Sequence, residues 1–412
     1  MIKNKLLWLV FITSTNAQAG GFALMTQNAS GMGNAYAGAA AEAEDASTIF
    51  FNPAGMTYID GTQMVGAIHL INPSIAFHDK GSLGATGDQG PNAGSLALIP
   101  NFYIMTELTP AIKLGLGVSV PFGLTTEYDD HWIGRFQANK SELKTVNINP
   151  SIAFKVNDQL SFGLGLSAMR AEATLTRSVN FGLAGEGNVK VEGDDWGFGF
   201  NLGAIYQATT DTRIGFAYRS NVKQKLEGKA SFIRPALVPN AGAAADGNVI
   251  ANIDLPETLS ASIFSHINAK WDVMADITWT RWSRFQALRI LRDNGSTLSV
   301  TPENWENTLR YAMGVNYRYS DTVKLRAGLA YDEEANSDAF RSARTPANDR
   351  TWLTLGAGWQ LSPASTMDIG YAHLFMRNAR IDNNQLDSGN GRLIGEFQGS
   401  VDILSLQYTH LF

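Results

Sequence analysis

The sequence predicts an all-β, 14-stranded antiparallel transmembrane barrel plugged by a small N-terminal hatch. Three observations carry that expectation: an export leader, long strands of strict period two, and between them a small-residue segment with no strand alternation. Residues 1–19 hold Lys3 and Lys5, an apolar run from Leu6 to Ile12, and Ala17-Gln18-Ala19, the three regions of a secretory signal peptide. The apolar run is too short to span a bilayer as a helix, so cleavage after Ala19 is expected. The mature chain then runs from Gly20 to Phe412 with 30 basic against 38 acidic residues, a formal charge of −8 once Lys3 and Lys5 are removed. No basic run marks a nucleic-acid partner. The absence of cysteine excludes a disulfide scaffold and thiolate metal sites. Mean hydropathy is −0.10 and nothing after residue 19 approaches 18 consecutive apolar residues. An exported chain of this kind is either a periplasmic globular protein or an outer-membrane barrel, whose alternating strands hide from averaged hydropathy.

Residues 20–60 read as the hatch and 61–412 as the barrel. The segment is rich in glycine and alanine and ends in Asn52-Pro53-Ala54. A proline in a tight turn fixes φ and removes a backbone donor, so this piece suits a compact plug better than a wall strand. A plug ahead of a barrel implies a pore kept shut and opened on demand. Gly20, Gly21, Gly31, Gly33 and Gly38 give a backbone that rearranges cheaply, although they would equally let a plug fit a crowded lumen. Phe22 and Leu24, close to the new N-terminus, can project apolar side chains into that lumen.

The strands themselves decide between the two architectures. In Val323 to Asp332, the residues Val323, Leu325, Ala327, Leu329 and Tyr331 alternate with Lys324, Arg326, Gly328, Ala330 and Asp332. Thr351 to Leu361 and Val146 to Val156 alternate in the same way over the length a tilted membrane strand needs. Short polar turns fall at Thr109-Pro110, Asn157-Asp158, Thr210-Asp211, Asn268-Ala269, Ser320-Asp321 and Ser362-Pro363. Longer polar loops are expected near 79–95, 123–145, 182–194, 232–249, 293–303, 334–349 and 385–393. Six short turns and seven long loops connect 14 strands, with the short turns facing the periplasm and the long loops the exterior. The last strand places Leu404, Leu406, Tyr408 and Phe412 on one face, and a terminal aromatic resembles the C-terminal signal read by barrel-assembly machinery. A soluble β-sandwich or propeller would not carry so many aliphatic and aromatic residues on one parity of every strand.

Several motifs in order resemble the FadL-type outer-membrane transporters. Besides Asn52-Pro53-Ala54 they are Pro121-Phe122-Gly123, Trp132-Ile133-Gly134-Arg135, Asn149-Pro150-Ser151-Ile152-Ala153, Trp279-Thr280-Arg281-Trp282-Ser283, Arg326 to Asp332, and Gly370-Tyr371-Ala372-His373. The resemblance covers essentially the whole mature chain. It implies passive, ligand-gated uptake of long-chain fatty acids or similar hydrophobic molecules. Ligand would be captured by extracellular loops, held in an internal pocket near the hatch terminus, and released laterally through a wall gap after the hatch rearranges. Related branches of the family carry aromatic hydrocarbons, so that substrate stays open. It also implies an outer-membrane location among outer-membrane lipid and lipopolysaccharide, without ATP or an energy-coupling partner. With every strand edge closed, a monomer is expected.

The residues allow a site to be sketched. Phe22, Leu24, Asn52, Pro53 and Ala54 are the hatch and gating candidates. Pro121, Phe122 and Gly123 end a strand whose apolar parity is Leu114, Leu116, Val118 and Val120; proline breaks ladder pairing, and in a closed barrel an internal break opens a hole. The resemblance puts the family's wall gap on the corresponding strand, which makes these residues the wall-gap neighbourhood, unless the strand simply ends there in a turn. Trp132, Ile133 and Phe136 can share one face of a short helix and form a capture groove, or pack against neighbouring loops. A fatty-acid carboxylate needs a cation, because an unpaired charge in a narrow lumen is costly. Lumen-parity bases are Lys155, Arg213, Arg219, Arg310, Arg318, Lys324 and Arg326; Asp272, Asp276, Asp332 and Asp368 share that face and can pair with them. Arg310 and Arg326 are chosen as head-group contacts.

An enzyme is not expected. There is no Gly-x-Ser-x-Gly elbow, no His-x-x-x-His pair and no phosphate-binding Gly-x-x-x-x-Gly-Lys loop, and neither a cofactor nor a metal is implied. A general diffusion porin is the remaining alternative of another class. It would lack the long hatch, and its inward loop would carry charge rather than tryptophan and phenylalanine.

Overall fold

Alternation along each strand sends one parity outward and the other into the lumen, the reverse of a soluble protein's burial. On Val323–Asp332, Leu325, Leu329 and Tyr331 are exposed, while Arg326 and Asp332 are buried inside. Apolar side chains meet lipid and polar ones meet the plug.

The computed structural model describes residues 21–90 and 92–412; the leader at 1–19 and Gly20 lie outside the described residues. Twenty strand segments form one sheet that closes as 14 staves. In chain order they begin β1 Thr62–Asp79, β2 Ala97–Thr109, β3 Ile112–Ser119 continued by β4 Gly123–Glu127, β5 Lys140–Lys155, β6 Leu160–Asn180 and β7 Glu186–Gln207. Four staves in two pieces follow: β8 Thr212–Arg219 with β9 Val222–Ile233, β10 Gly247–Leu255 with β11 Thr258–His266, β12 Trp271–Thr280 with β13 Ala287–Arg292, and β14 Thr297–Pro302 with β15 Thr308–Arg318. The last are β16 Val323–Asp332, β17 Arg350–Ser362, β18 Ser365–Met376 with β19 Ala379–Asn384, and β20 Arg392–Leu411. All pairings between these strands are antiparallel, and β1 closes on β20 from Gln63↔Leu411 to Asp79↔Gly395. That closure removes the free edges of the main barrel, while the outer pieces β4, β14 and β19 each pair on one side only.

The short turns fall where the sequence places them. On the opposite side the strands run further than expected. The loop expected at 182–194 is only a hairpin tip, because β7 begins at Glu186, and the one expected at 293–303 is largely the β13–β14 hairpin. Above the apolar band, strands are polar on the outside as well, so their alternation fades from the sequence although the ladder continues.

The hatch lies inside this wall with almost all its side chains buried. Helix α1 (Ala29–Gly33) is capped by Asn28, whose side chain accepts from Gly31 N at 3.0 Å, and α2 spans Thr48–Phe51. Asn52 then caps the 3-10 turn Pro53–Tyr58, with Pro53 at the first position where its missing donor costs nothing. The plug can sit this close because lumen-facing wall positions are glycine. A Cβ on Gly163 would stand 2.3 Å from Ala54 N, one on Gly215 1.9 Å from Ala40 O, and one on Gly328 2.3 Å from Asn34 C.

Candidate transport site

The Asn52-Pro53-Ala54 turn is the hatch's fastening to the wall. Asn52 is fully buried; its Nδ2 donates to Ala40 O at 2.6 Å and to the wall carbonyls of Ala204 at 3.1 Å and Phe216 at 3.3 Å. Its Oδ1 accepts from Ala54 N at 3.1 Å. One side chain thus ties two hatch segments to β7 and β8. Three non-glycine residues of the hatch, Ala35, Tyr36 and Ala43, hold positive φ of 57°, 56° and 50°. That left-handed backbone is strained for residues bearing a Cβ, so the plug is held by its surroundings rather than by local preference.

The hatch's first residues enter the wall. Leu24 N donates to Pro121 O at 2.8 Å, Gly123 N to Phe22 O at 2.9 Å, and Ala23 bridges Phe122. They do so where the third stave breaks. β3 pairs with β5 as far as Ser119↔Asn147, and β4 resumes at Gly123↔Lys144, so residues 120–122 stand opposite only 145 and 146. The ladder between β2 and β3 ends at Phe102↔Val118, although β2 stays paired with β1 as far as Ala97. Pro121, with no amide hydrogen, sits in this break.

Behind the break lies a cavity of about 100 Å³. Leu24, Met25, Phe50 and Phe51 of the hatch, with Pro121 and Phe122, supply its apolar side; threonines and serines of β11 and β12 supply a polar side together with Arg219 and Arg310. Phe22 packs just beside it, 4.7 Å from Trp282, 5.4 Å from Trp305 and 6.2 Å from Phe122, ring centre to ring centre. The two chosen cations part company here. Arg310 borders the cavity, gives Nη2 to Ala35 O at 2.8 Å, and lies 5.2 Å from the Trp352 ring centre. Its Nε and Nη1 are buried and have no hydrogen-bond partner among the described residues. Arg326 instead pairs with Glu44 of the hatch at 2.7 Å and Asp368 at 2.8 Å, at the edge of the periplasmic mouth. It is a hatch tether, and Lys324 joins it on Glu44 at 2.5 Å.

The expected loop groove is not where the sequence suggests. Trp132 bridges Asp88, and Ile133 to Gln137 form successive turns rather than a helix. Trp132 is 0% exposed, stacked on Tyr128 at 3.9 Å, and Phe136 is buried; only Ile133 stays partly open. These side chains pack against neighbouring loops, so they present no exposed apolar face. A smaller cavity of about 30 Å³ lies toward the exterior, lined by Leu175, Val189, Val191, Phe232, Ile290 and Leu298 together with Arg177 and Arg344. Sequence reasoning missed it because its walls come from strand extensions that read as loops.

Beside the aromatic cluster, the fully buried Glu303 accepts from Trp305 Nε1 at 3.1 Å. Burial pushes its carboxyl up to about 8, against the pull of that hydrogen bond. An acid raised in the folded state favours folding fully below its ordinary 4.5 and loses that contribution as pH rises through 8. Wild type should therefore lose thermal stability relative to Glu303→Gln between about pH 4.5 and 8 and level off above that. Parallel melting curves for the two across that range would show that Glu303 titrates as an ordinary carboxyl.

A closed barrel with an internal plug, a break in the wall and a largely apolar cavity behind it is the architecture of a plugged outer-membrane transport protein. The chain matches, over residues 10–412, the family model described as Outer membrane protein transport protein (OMPP1/FadL/TodX), and it belongs to that family. It is therefore an outer-membrane transporter of hydrophobic compounds and not an enzyme. It is 28% identical to the Long-chain fatty acid transport protein of Escherichia coli O6:H1 over 100% of this chain and 98% of that one. It is 33% identical to the 47 kDa outer membrane protein of Pasteurella multocida, over 88% of this chain and 89% of the relative. A Pseudomonas aeruginosa FadL homologue of known crystal structure superposes with a TM-score of 0.90 at 26% identity, covering 95% of this chain and 100% of that one.

Proposed function

We propose that the protein takes up long-chain fatty acids passively, with residues 20–60 as the gate. Arg310 carries this reading: a buried guanidinium with two nitrogens, Nε and Nη1, lacking hydrogen-bond partners among the described residues, beside a largely apolar cavity, suits an amphiphile with one carboxylate. Ligand enters at the small cavity near Arg177 and Arg344, where apolar walls meet cations. It then reaches the cavity beside Arg310, displaces the strand-like contact of residues 22–24 with Pro121 and Gly123, and leaves sideways through the break beside β2. A cavity of about 100 Å³ is too small for a whole acyl chain, so filling it must move the hatch, and the strained residues Ala35, Tyr36 and Ala43 favour that movement.

The test is uptake of labelled oleate and labelled toluene by cells that lack their own transporter, with and without this protein. Oleate uptake is expected. Uptake of toluene alone would replace the fatty acid with an aromatic hydrocarbon, and steady ion conductance by the purified barrel would make it a porin.

A further inference from the structure

On the outer wall of β5, β6, β7 and β9, lipid-facing apolar residues give way to charge within one or two outward positions. On β7, the exposed Phe198 and Trp196 are followed by Asp194, Glu192 and Lys190. On β6, the exposed Leu164 and Leu166 are followed, past Ala168, by Arg170 and Glu172. The register makes these one band: Lys144↔Glu172, Glu172↔Asp194 and Asp194↔Glu227 form a row, with Val146↔Arg170 and Arg170↔Trp196 just below it. On β9, Lys223, Lys225 and Lys229 are exposed on the same side, and Lys223 and Lys229 have no ion pair among the described residues. Arg170 reaches Glu172 at 2.9 Å and Asp194 at 3.2 Å, contacts exposed enough to be exchanged at little cost.

We infer that this band binds the phosphorylated glycolipid of the outer leaflet, lipid A, independently of what the barrel transports. Acyl chains would lie on Trp196 and Phe198, phosphates on Arg170 and the β9 lysines, and divalent cations between those phosphates and Glu172, Asp194 and Glu227. Two features select this occupant. The charge abuts the apolar band without a gap, so the ligand must carry both chemistries in the plane of the leaflet. Acids interleaved with bases would weaken a bare anion site, but they suit phosphates bridged by metal ions.

The experiment titrates the detergent-solubilised full-length barrel with lipid A and magnesium and reads adducts by native mass spectrometry. Removing three bases near an anionic lipid surface in Lys223→Gln/Lys225→Gln/Lys229→Gln should weaken binding roughly a hundredfold. The corresponding triple arginine variant and a Lys80→Gln/Arg392→Gln control elsewhere on the exterior should bind as wild type, with heat-modifiable migration reporting folding. Undiminished binding by the glutamine variant would overturn the inference. So would equal loss in the control, or equal binding of lipid A stripped of its phosphates.

Discussion

A Gly163→Ala barrel is expected to leak. One added methyl would sit 2.3 Å from Ala54 N and 2.4 Å from Pro53 C, and both atoms are backbone and cannot swing aside. The turn must lift off β6. Asn52 then loses its wall contacts to Ala204 and Phe216, each worth about 1 kcal/mol net, on top of an overpacking strain of about 1–3 kcal/mol. A shift of about 3 kcal/mol changes an open-to-closed ratio roughly a hundredfold. Planar-bilayer recordings should therefore show frequent openings in the variant and near silence in wild type. A silent variant with unchanged oleate uptake would remove this turn from the gate.

The second large effect concerns selectivity. In Arg310→Gln, oleate uptake should fall about ten- to a hundredfold, the worth of one charge-assisted hydrogen bond, while toluene uptake stays within about twofold. Arg310→Lys keeps the charge and should retain much of the oleate uptake. Arg310 also holds Ala35 O and lies near Trp352, so a merely structural role predicts that both substrates are lost together. Equal loss would therefore rule against head-group recognition.

The wall was legible because lipid imposes a rule on every second residue. Val323–Asp332 has the same limits in the sequence reading and in the sheet. Legibility faded where that rule stops. Beyond Trp196, β7 is polar on its outer face, and its first residues looked like loop. The site was only half legible. Asn52, Pro53 and Ala54 announce a turn by their own chemistry, but whether Trp132 is open or buried depends on Tyr128 and Phe77, which the fold brings against it from the same loop and from β1. Arg310 and Arg326 share one parity and cannot be told apart by pattern. Their difference is Glu44, a hatch residue set against Arg326 by the plug's path through the barrel. Lumen-facing glycines such as Gly163, Gly215 and Gly328 stand in plain view in the sequence, yet they gain meaning only with the hatch in place. Gly163 and Gly203, direct partners on neighbouring strands, are both filled by the Asn52–Ala54 turn.

The seam between β1 and β20 has a consequence for biogenesis. The plug precedes β1 in the chain, while the strand that seals the cylinder is the last to be made. Until Gln63 meets Leu411, the cylinder is an open trough. The plug contacts staves far apart around the ring, with Asn52 on β7 and β8 and Ala29 on Gln407 of β20. A trough can fold around a segment already lying in it. A finished cylinder would have to be threaded from one mouth. Insertion and plugging are thus expected to be one event, with a newly closed barrel entering the membrane already shut.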